Sequence, residues 1–286
     1  MRFSYIPPSP HLRHAIRDYL VAHFRFDPET PAPLKPYVPK PEQGITFFVR
    51  GRPRMVDPVT GDAHDAPAVA LFGQQVLRCN VHLAREFLML RVHFQPGALF
   101  RLCNVPLQEF GTGYFDAEAV LGQDVRDVSD GLATARDYAG MIGLVEAFLT
   151  RCIERSQHDV HAVDRVASHL ATEPVLPSVD WLAREACLSP RQFNRRFTER
   201  MGVGAKLYGR LVRFHRACVF KARHPAVAWT SVALHFGYTD YQHLVRDFRQ
   251  FANVAPNAWL REERAAPEHV LLGDDVVTAT SSRASP

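Results

Sequence analysis

Long apolar runs are missing from this 286-residue chain. No stretch approaches the ~18 consecutive apolar residues that read as a membrane span, and the opening "MRFSYIPPSPHLRH" lacks the apolar core of a secretory signal. A cytoplasmic protein with no membrane partner is the expectation. Cysteine is also scarce. Cys79, Cys103, Cys152, Cys187 and Cys218 are odd in number, widely spaced and form no C-x-x-C pair. That pattern indicates neither a disulfide framework nor a zinc knuckle, and the expectation is reduced, buried thiols acting as small hydrophobes. The G-x-S-x-G nucleophile turn, the P-loop and the G-x-G-x-x-G dinucleotide signature are all absent, so neither an enzyme of those classes nor a cofactor is expected.

Acidic residues are missing from one long segment. Between 191 and 223 stand Arg191, Arg195, Arg196, Arg200, Lys206, Arg210, Arg213, Arg216, Lys221 and Arg223, against the single acid Glu199. The whole chain is only mildly basic, at +4, so this local positive surface points to a polyanion partner. With 47% hydrophobic and 22% charged residues the chain is ordinary globular material, long enough for two domains.

The pattern changes along the chain. Up to about residue 120, short apolar runs such as "GITFFV", "AVALFG" and "REFLMLRVHF" are broken by turn signals like "DPVTGDAHDAP", and read as strands joined by loops. Leu12, Ile16 and Leu20, four residues apart, predict an early helix over about 10–20. From about 116 to 155 the pattern is helical, with Ile142, Val145, Phe148, Leu149 and Ile153 on one stripe. The reading is α+β: a strand-rich sensor or dimerisation domain over 1–155, an all-helical domain over 156–264 and a disordered tail over 265–286.

The stretch "SPRQFNRRF", 189–197, opens with a helix-capping serine and a proline at the first helical position. Phe193 and Phe197 share one face, leaving Arg191, Asn194 and Arg195 on the other. Arginine and asparagine hydrogen-bond guanine and adenine edges bidentately, so this face suits a DNA major groove. An internal repeat strengthens that reading. Setting "FNRRFTERMGVGAKLYGR" over "LVRDFRQFANVAPNAWLR" at an offset of 51 matches Phe197 to Phe248, Val203 to Val254, Tyr208 to Trp259 and Arg210 to Arg261. Upstream the offset becomes 50, matching Leu182 and Ala183 to Val232 and Ala233, and Cys187 to Gly237. The one-residue step falls in the turn, where insertions are tolerated. Each unit is therefore a short helix, a tight turn, a cap (Ser189 or Asp240) and a second helix, the layout of a helix-turn-helix. Between them "AKLYGRLVRFHRACVFKAR" is one helical run of about 25 Å. Such a rod can hold two recognition helices in successive major grooves, about 34 Å apart.

The segment from about 160 to 262 resembles the DNA-binding domain of the AraC family of transcription regulators, whose second unit reads close to I-A-x-x-x-G-F-x-[DS]-x-x-x-F-x-R-x-F-x(8)-P-x-x-[YW]-R; here "VALHFGYTDYQHLVRDFRQFANVAPNAWLR" fits almost throughout. Leu244 stands where an aromatic is common, and Ala205 replaces a frequent proline. The resemblance implies base-facing roles for Arg191, Asn194 and Arg195, and for Tyr241, Gln242, His243, Val245 and Arg246 in the second unit. Arg196, Lys206 and Arg210 are assigned to the DNA backbone or solvent. Trp181, Phe193, Phe197, Phe236, Phe248 and Trp259 are core by periodicity. The family's usual role, activation of transcription through contact with RNA polymerase on double-stranded DNA, is what the resemblance implies.

"YIPPSPHLRHAIRDYLVAHF", "PEQGITFFV" and "VHFQPGALFRLCNVPLQEF" resemble the cupin-like N-terminal domain of a subgroup of these regulators, which implies a barrel-like sheet that binds a small-molecule effector and pairs two subunits in a homodimer. The alternative is a cupin-type enzyme domain fused to a DNA-binding module. A metal-dependent cupin needs a His-x-His pair, and none of the fourteen histidines has another two residues on. His11 with His14, His158 with His161, and the lone Cys79-x-x-His82 leave third and fourth ligands unplaced, so no metal is assigned. Along "EFLMLRVHF", Leu88, Leu90, Val92 and Phe94 alternate with Met89, Arg91 and His93. The mixed face either lines an effector pocket or faces water.

Overall fold

The computed structural model describes residues 2–27, 29, 34–111, 113–156, 158–172 and 177–266. Its first part is built of strands β1 (Arg2–Ile6), β2 (Ile16–Arg25), β3 (Leu34–Tyr37), β4 (Gly44–Arg50), β5 (Arg54–Val56), β6 (Ala63–Asp65), β7 (Val69–Phe72), β8 (Cys79–His82), β9 (Glu86–Phe94) and β10 (Tyr114–Asp116). Helix α1 (Ala98–Cys103) precedes β10, and α2 (Ala117–Leu121), α3 (Gln123–Thr134) and α4 (Tyr138–Arg155) follow it. The second part is wholly helical: α5 (Ala162–Thr172), α6 (Val179–Glu185), α7 (Pro190–Met201), α8 (Ala205–Arg223), α9 (Trp229–His235), α10 (Tyr241–Ala252) and α11 (Pro256–Arg264). The α+β organisation is the one the sequence predicted.

The strands form a six-stranded sheet, in the order β1-β2-β9-β4-β7-β10, and a four-stranded sheet, in the order β3-β8-β5-β6, with every pairing antiparallel. Side chains alternate between faces along a strand, and the larger sheet buries both faces. Ile45, Phe47, Leu88, Leu90 and Val92 pack with Val125, Leu132, Val145 and Phe148 of the helical layer, while Phe48, Phe87 and Met89 turn towards the smaller sheet.

The helix predicted over 10–20 is not there. Leu12 ends a single 3₁₀ turn, Pro10–Leu12, and Ile16 starts β2. Tyr19 and Val21 enter one core while Leu20, Ala22 and Phe24 enter the other. A strand buried on both faces reads as a nearly continuous apolar run, in which a four-residue spacing arises by chance. The expected disordered tail lies outside the described residues from 267 onward; Ala266 itself is buried. Of the cysteines expected to be buried, Cys218 is, three are half-buried and Cys187 is exposed.

The two parts meet through buried charge. Asp164 of α5 receives Arg101 Nη1 at 2.8 Å, and Arg200 Nε and Nη2 of α7 each at 2.6 Å. All three side chains are buried, and Arg200 also lies 4.6 Å over the Phe100 ring. Gly97, at φ +79°, makes room: a Cβ there would come within 2.0 Å of Asp164 Oδ1. Removing one member of a buried ion cluster leaves uncompensated charge in a low-dielectric site. Asp164→Ala is therefore expected to lower stability by about 3–5 kcal/mol, read from the urea unfolding midpoint; a loss under about 1 kcal/mol, the range of exposed pairs, would rule out a structural role for the cluster.

Candidate nucleic-acid interface

The repeat seen in the sequence is a repeat of geometry. Helices α6 and α9 have seven residues each and begin 50 positions apart; α7 and α10 have 12 each and begin 51 apart. The turns match bond for bond. Cys187 (φ +54°) and Gly237 (φ +71°) both take the left-handed conformation, followed by Leu188 N–H donating to Ala183 O and Tyr238 N–H donating to Ala233 O, each at 2.9 Å. Ser189 forms a capping box with Gln192, and Asp240 accepts from the His243 N–H at 2.7 Å. Each cap satisfies an otherwise orphaned donor at the start of a recognition helix.

Helix α8 carries both units. Tyr208 and Val212 pack with Phe193, Phe197, Leu182 and Met201 of the first, while Leu211, Phe214 and Cys218 pack with Leu244, Phe248, Val232 and Trp259 of the second. Of the aromatics predicted as core, Phe193, Phe197, Phe236, Phe248 and Trp259 are buried and Trp181 is half-buried against the first cluster.

On α7, Arg191, Asn194 and Arg195 are exposed and form no hydrogen bond or ion pair among the described residues. Arg196, also exposed, pairs with Glu199 at 3.1 Å, and Lys206 is exposed at the start of α8. On α10, Gln242 and Arg246 are exposed. The remaining residues of that helix expected to face bases are placed differently. Tyr241 packs partly against the second core. His243 is half-buried, with Nε2 3.3 Å from Arg213 Nη2 and its ring edge-on to Tyr238. Val245 is only 8% exposed: α10 packs against α8, α9 and α11 and buries Leu244, Val245, Phe248 and Phe251 on a wider face than α7 does.

Arg210, expected at the DNA backbone, is engaged internally. Its Nη2 lies 2.6 Å from Asp247 Oδ1 and 2.6 Å from Gln250 Oε1. Asp247 is completely buried and also takes Arg213 at 3.4 Å, whose guanidinium sits 4.0 Å over the Tyr238 ring. Burial and the Asp247 charge together raise the Tyr238 hydroxyl above its ordinary range. Asp247 was not singled out from the sequence, yet it carried a signal: it is an acid at the position where the first unit has Arg196.

A second candidate site lies between the two sheets. Its walls are apolar, including Phe3, Phe24, Phe48, Met55 and Phe87, and it holds about 60 Å³ of free space. That suffices for water, not for a drug-sized ligand. The mixed face of β9 turns inward here, so Met89, Arg91 and His93 line it. Arg91 donates to Thr46 Oγ1 (2.9 Å), Tyr37 OH (3.1 Å) and Tyr114 OH (2.7 Å). His93 Nδ1 lies 2.7 Å from Asp18 Oδ1 and its Nε2 3.5 Å from Glu42 Oε2. Burial would raise the Glu42 carboxyl, but the charges of His93, Lys40 and Arg17 outweigh it and hold it well below the usual range. Burial and the nearby Lys40 push the Lys35 ammonium down to about 7. His215 of α8 shares this environment: burial and Lys40 push its imidazole down to about 4.

Residues 182–262 match the family model of a helix-turn-helix domain, and residues 4–116 match a domain of unknown function (DUF6597). This C-terminal part is a helix-turn-helix domain of the AraC type. Among solved structures, unsaturated fatty acid-bound wild-type ToxT from Vibrio cholerae strain SCE256 is similar at 14% identity and a TM-score of 0.47, covering 85% of this chain and 94% of that one. The transcriptional regulator CdpR from Pseudomonas aeruginosa is similar at 20% identity and a TM-score of 0.32, covering 60% and 45%. No curated protein matches the chain.

The contrast between two arginines tests the reassignment of Arg210. Arg210→Ala strips a partner from a fully buried carboxylate and is expected to cost about 1–3 kcal/mol of stability, whereas Arg196→Ala at the surface stays within about 0.5 kcal/mol. Equal small effects on the unfolding midpoint would return Arg210 to the surface class.

Proposed function

We propose that the protein is a sequence-specific DNA-binding transcription regulator, with residues 1–155 sensing and residues 156–264 binding DNA. One observation carries this reading: the same helix-turn-helix is set twice on one connecting helix, and each recognition helix exposes side chains suited to base edges. Arg191, Asn194, Arg195, Gln242 and Arg246 are the base-reading set. Arg196 and Lys206 add affinity through phosphate contacts, which carry no sequence information. Tyr241 and His243 stand at the margin of the surface and serve the phosphates. A cytoplasmic location follows from the DNA partner, and contact with RNA polymerase and pairing of two copies belong to the same proposal. Among the described residues no group of three or more His, Cys, Asp or Glu is placed to hold a metal ion.

The effector is proposed to enter the space between the sheets. Its apolar walls and its cations Lys35, Lys40 and Arg91, which outnumber the carboxylate of Glu42, favour a small apolar anion, such as an aryl or alkyl carboxylate. The free space is small, so the sheets must part to admit it. Met89, flexible and polarizable, is suited to yield.

Two measurements follow. Arg195→Ala is expected to weaken binding to a DNA site selected from a random pool by about 1–3 kcal/mol and to relax the preference at one base position. An equal loss on random DNA would assign Arg195 to the backbone instead. For the effector site, Lys35 in the free protein is protonated below about 7 and neutral above it. Calorimetric titration with an aryl carboxylate is therefore expected to show affinity that is highest below that pH and declines as pH rises above it. A profile that is flat, and stays flat in Lys35→Met, would exclude Lys35 from anion binding.

A further inference from the structure

Both recognition helices end alike. Helix α7 is followed by Gly202 (φ +79°) and α10 by Asn253 (φ +55°), equivalent residues of the repeat in the left-handed conformation. The last four carbonyls of an α-helix have no partner within it. In both helices the final carbonyl, Met201 O or Ala252 O, is taken up by a side chain of the strand-rich part. Gln43 Nε2 donates to Met201 O at 2.9 Å, and Arg78 Nη1 donates to Ala252 O at 3.2 Å. Met201 and Ala252 are themselves equivalent at the offset of 51.

Both donors are enclosed, Gln43 at 5% exposure and the Arg78 side chain at 8%. Arg78 also holds Glu262 of α11 at 2.8 Å and Asn80 at 3.2 Å. A cation at the C-terminal end of α10 is favoured by the helix dipole as well. The two donors are tied to each other. Gln74 Nε2 donates to Lys40 O at 2.7 Å, joining the segment that leads to Gln43 with the segment that leads to Arg78.

We propose that the strand-rich part is a brace: it grips the C-terminal ends of both recognition helices at equivalent carbonyls, through Gln43 and Arg78, and thereby sets the separation at which the two helices meet DNA. The DNA consequence rests on the function proposed above; the grip itself does not. Gln43 and Arg78 are positioning residues. Each is close in the chain to a residue that lines the cavity between the sheets: Gln43 follows Glu42, and Arg78 stands three residues before Val81. Gln43 leads into β4 of the larger sheet and Arg78 into β8 of the smaller, so a ligand that parts the sheets moves the two grips apart and changes the spacing of the helices.

The test uses the full chain. Spin labels on ketone-bearing residues at positions 191 and 242, equivalent and exposed on α7 and α10, report the distance between the helices by pulsed electron paramagnetic resonance and leave the five cysteines untouched. The brace requires one narrow distance distribution in the parent, a broadened one in the Gln43→Met, Arg78→Met double variant, and a narrow one in Arg78→Lys, which keeps a cationic donor. If the double variant does not fold, the single variants Gln43→Met and Arg78→Met are judged by the same widths. In unlabelled protein, the double variant is expected to lose about tenfold of its discrimination between a selected two-block site and the same site with one base pair inserted between the blocks. Unchanged widths, or equal loss of affinity for the two sites, overturn the brace. Broadened widths in a chain whose parent selects no two-block site leave the brace standing and remove the DNA reading.

Discussion

Helix α8 is the constraint on which the rest of the DNA-binding part depends. Nineteen residues long, it gives alternating faces to two separate apolar clusters, and neither helix-turn-helix unit closes its core without it. Short three-helix units bury little surface alone, so sharing one helix serves stability. It also serves geometry. The shared rod keeps the two units together through contacts around Tyr208 and Val212 on one side and Leu211 and Phe214 on the other, while the ends of α7 and α10 are held from the strand-rich part.

Charge is distributed over this frame by the same logic. The basic residues between 191 and 223 look uniform as a list, but the structure divides them. Arg200 is drawn inward to Asp164, and Arg210 and Arg213 to Asp247, where each buried carboxylate is compensated by two guanidinium groups. A buried arginine without such a partner would be costly. Arg191 and Arg195 meet no acid and stay at the surface. What is left outside is a smaller basic face than the composition suggests, with Arg191, Arg195 and Arg196 on α7 and Lys206 at the start of α8 exposed.

The strand-rich part joins this arrangement through backbone as well as charge. Its antiparallel sheets bury both faces of β2 and β9, and the polar ends of those faces gather at Glu42, Arg91 and His93. The chain leaving that cluster runs directly to Gln43 and the end of α7. Few residues separate the interior of one part from a recognition helix of the other. This proximity is the physical basis on which occupancy of the first can bias the second, provided a ligand has different affinities for the two arrangements.

Much of the DNA-binding part was legible in the residues, because its signals are local. Helix caps, left-handed turn residues and a 3.6-residue period act over a few positions, and here they occur twice, so each copy checks the other. The early helix was misread because a strand covered on both faces has no polar side to reveal its period, and only pairing with β1 and β9 settles it. The family resemblance placed Val245 at the bases and Arg210 was assigned to the backbone or solvent, yet Val245 lies on the wide packed face of α10 and Arg210 is engaged by an aspartate 37 positions away. The sequence by itself determined the repeat, the class of the domain and the exposed polar face of α7, all set by interactions between near neighbours in the chain. Tertiary structure alone decided which arginines are neutralised, which face of β9 is enclosed and how Gln43 and Arg78 reach the helix ends, because long-range contacts leave no periodic trace in the sequence.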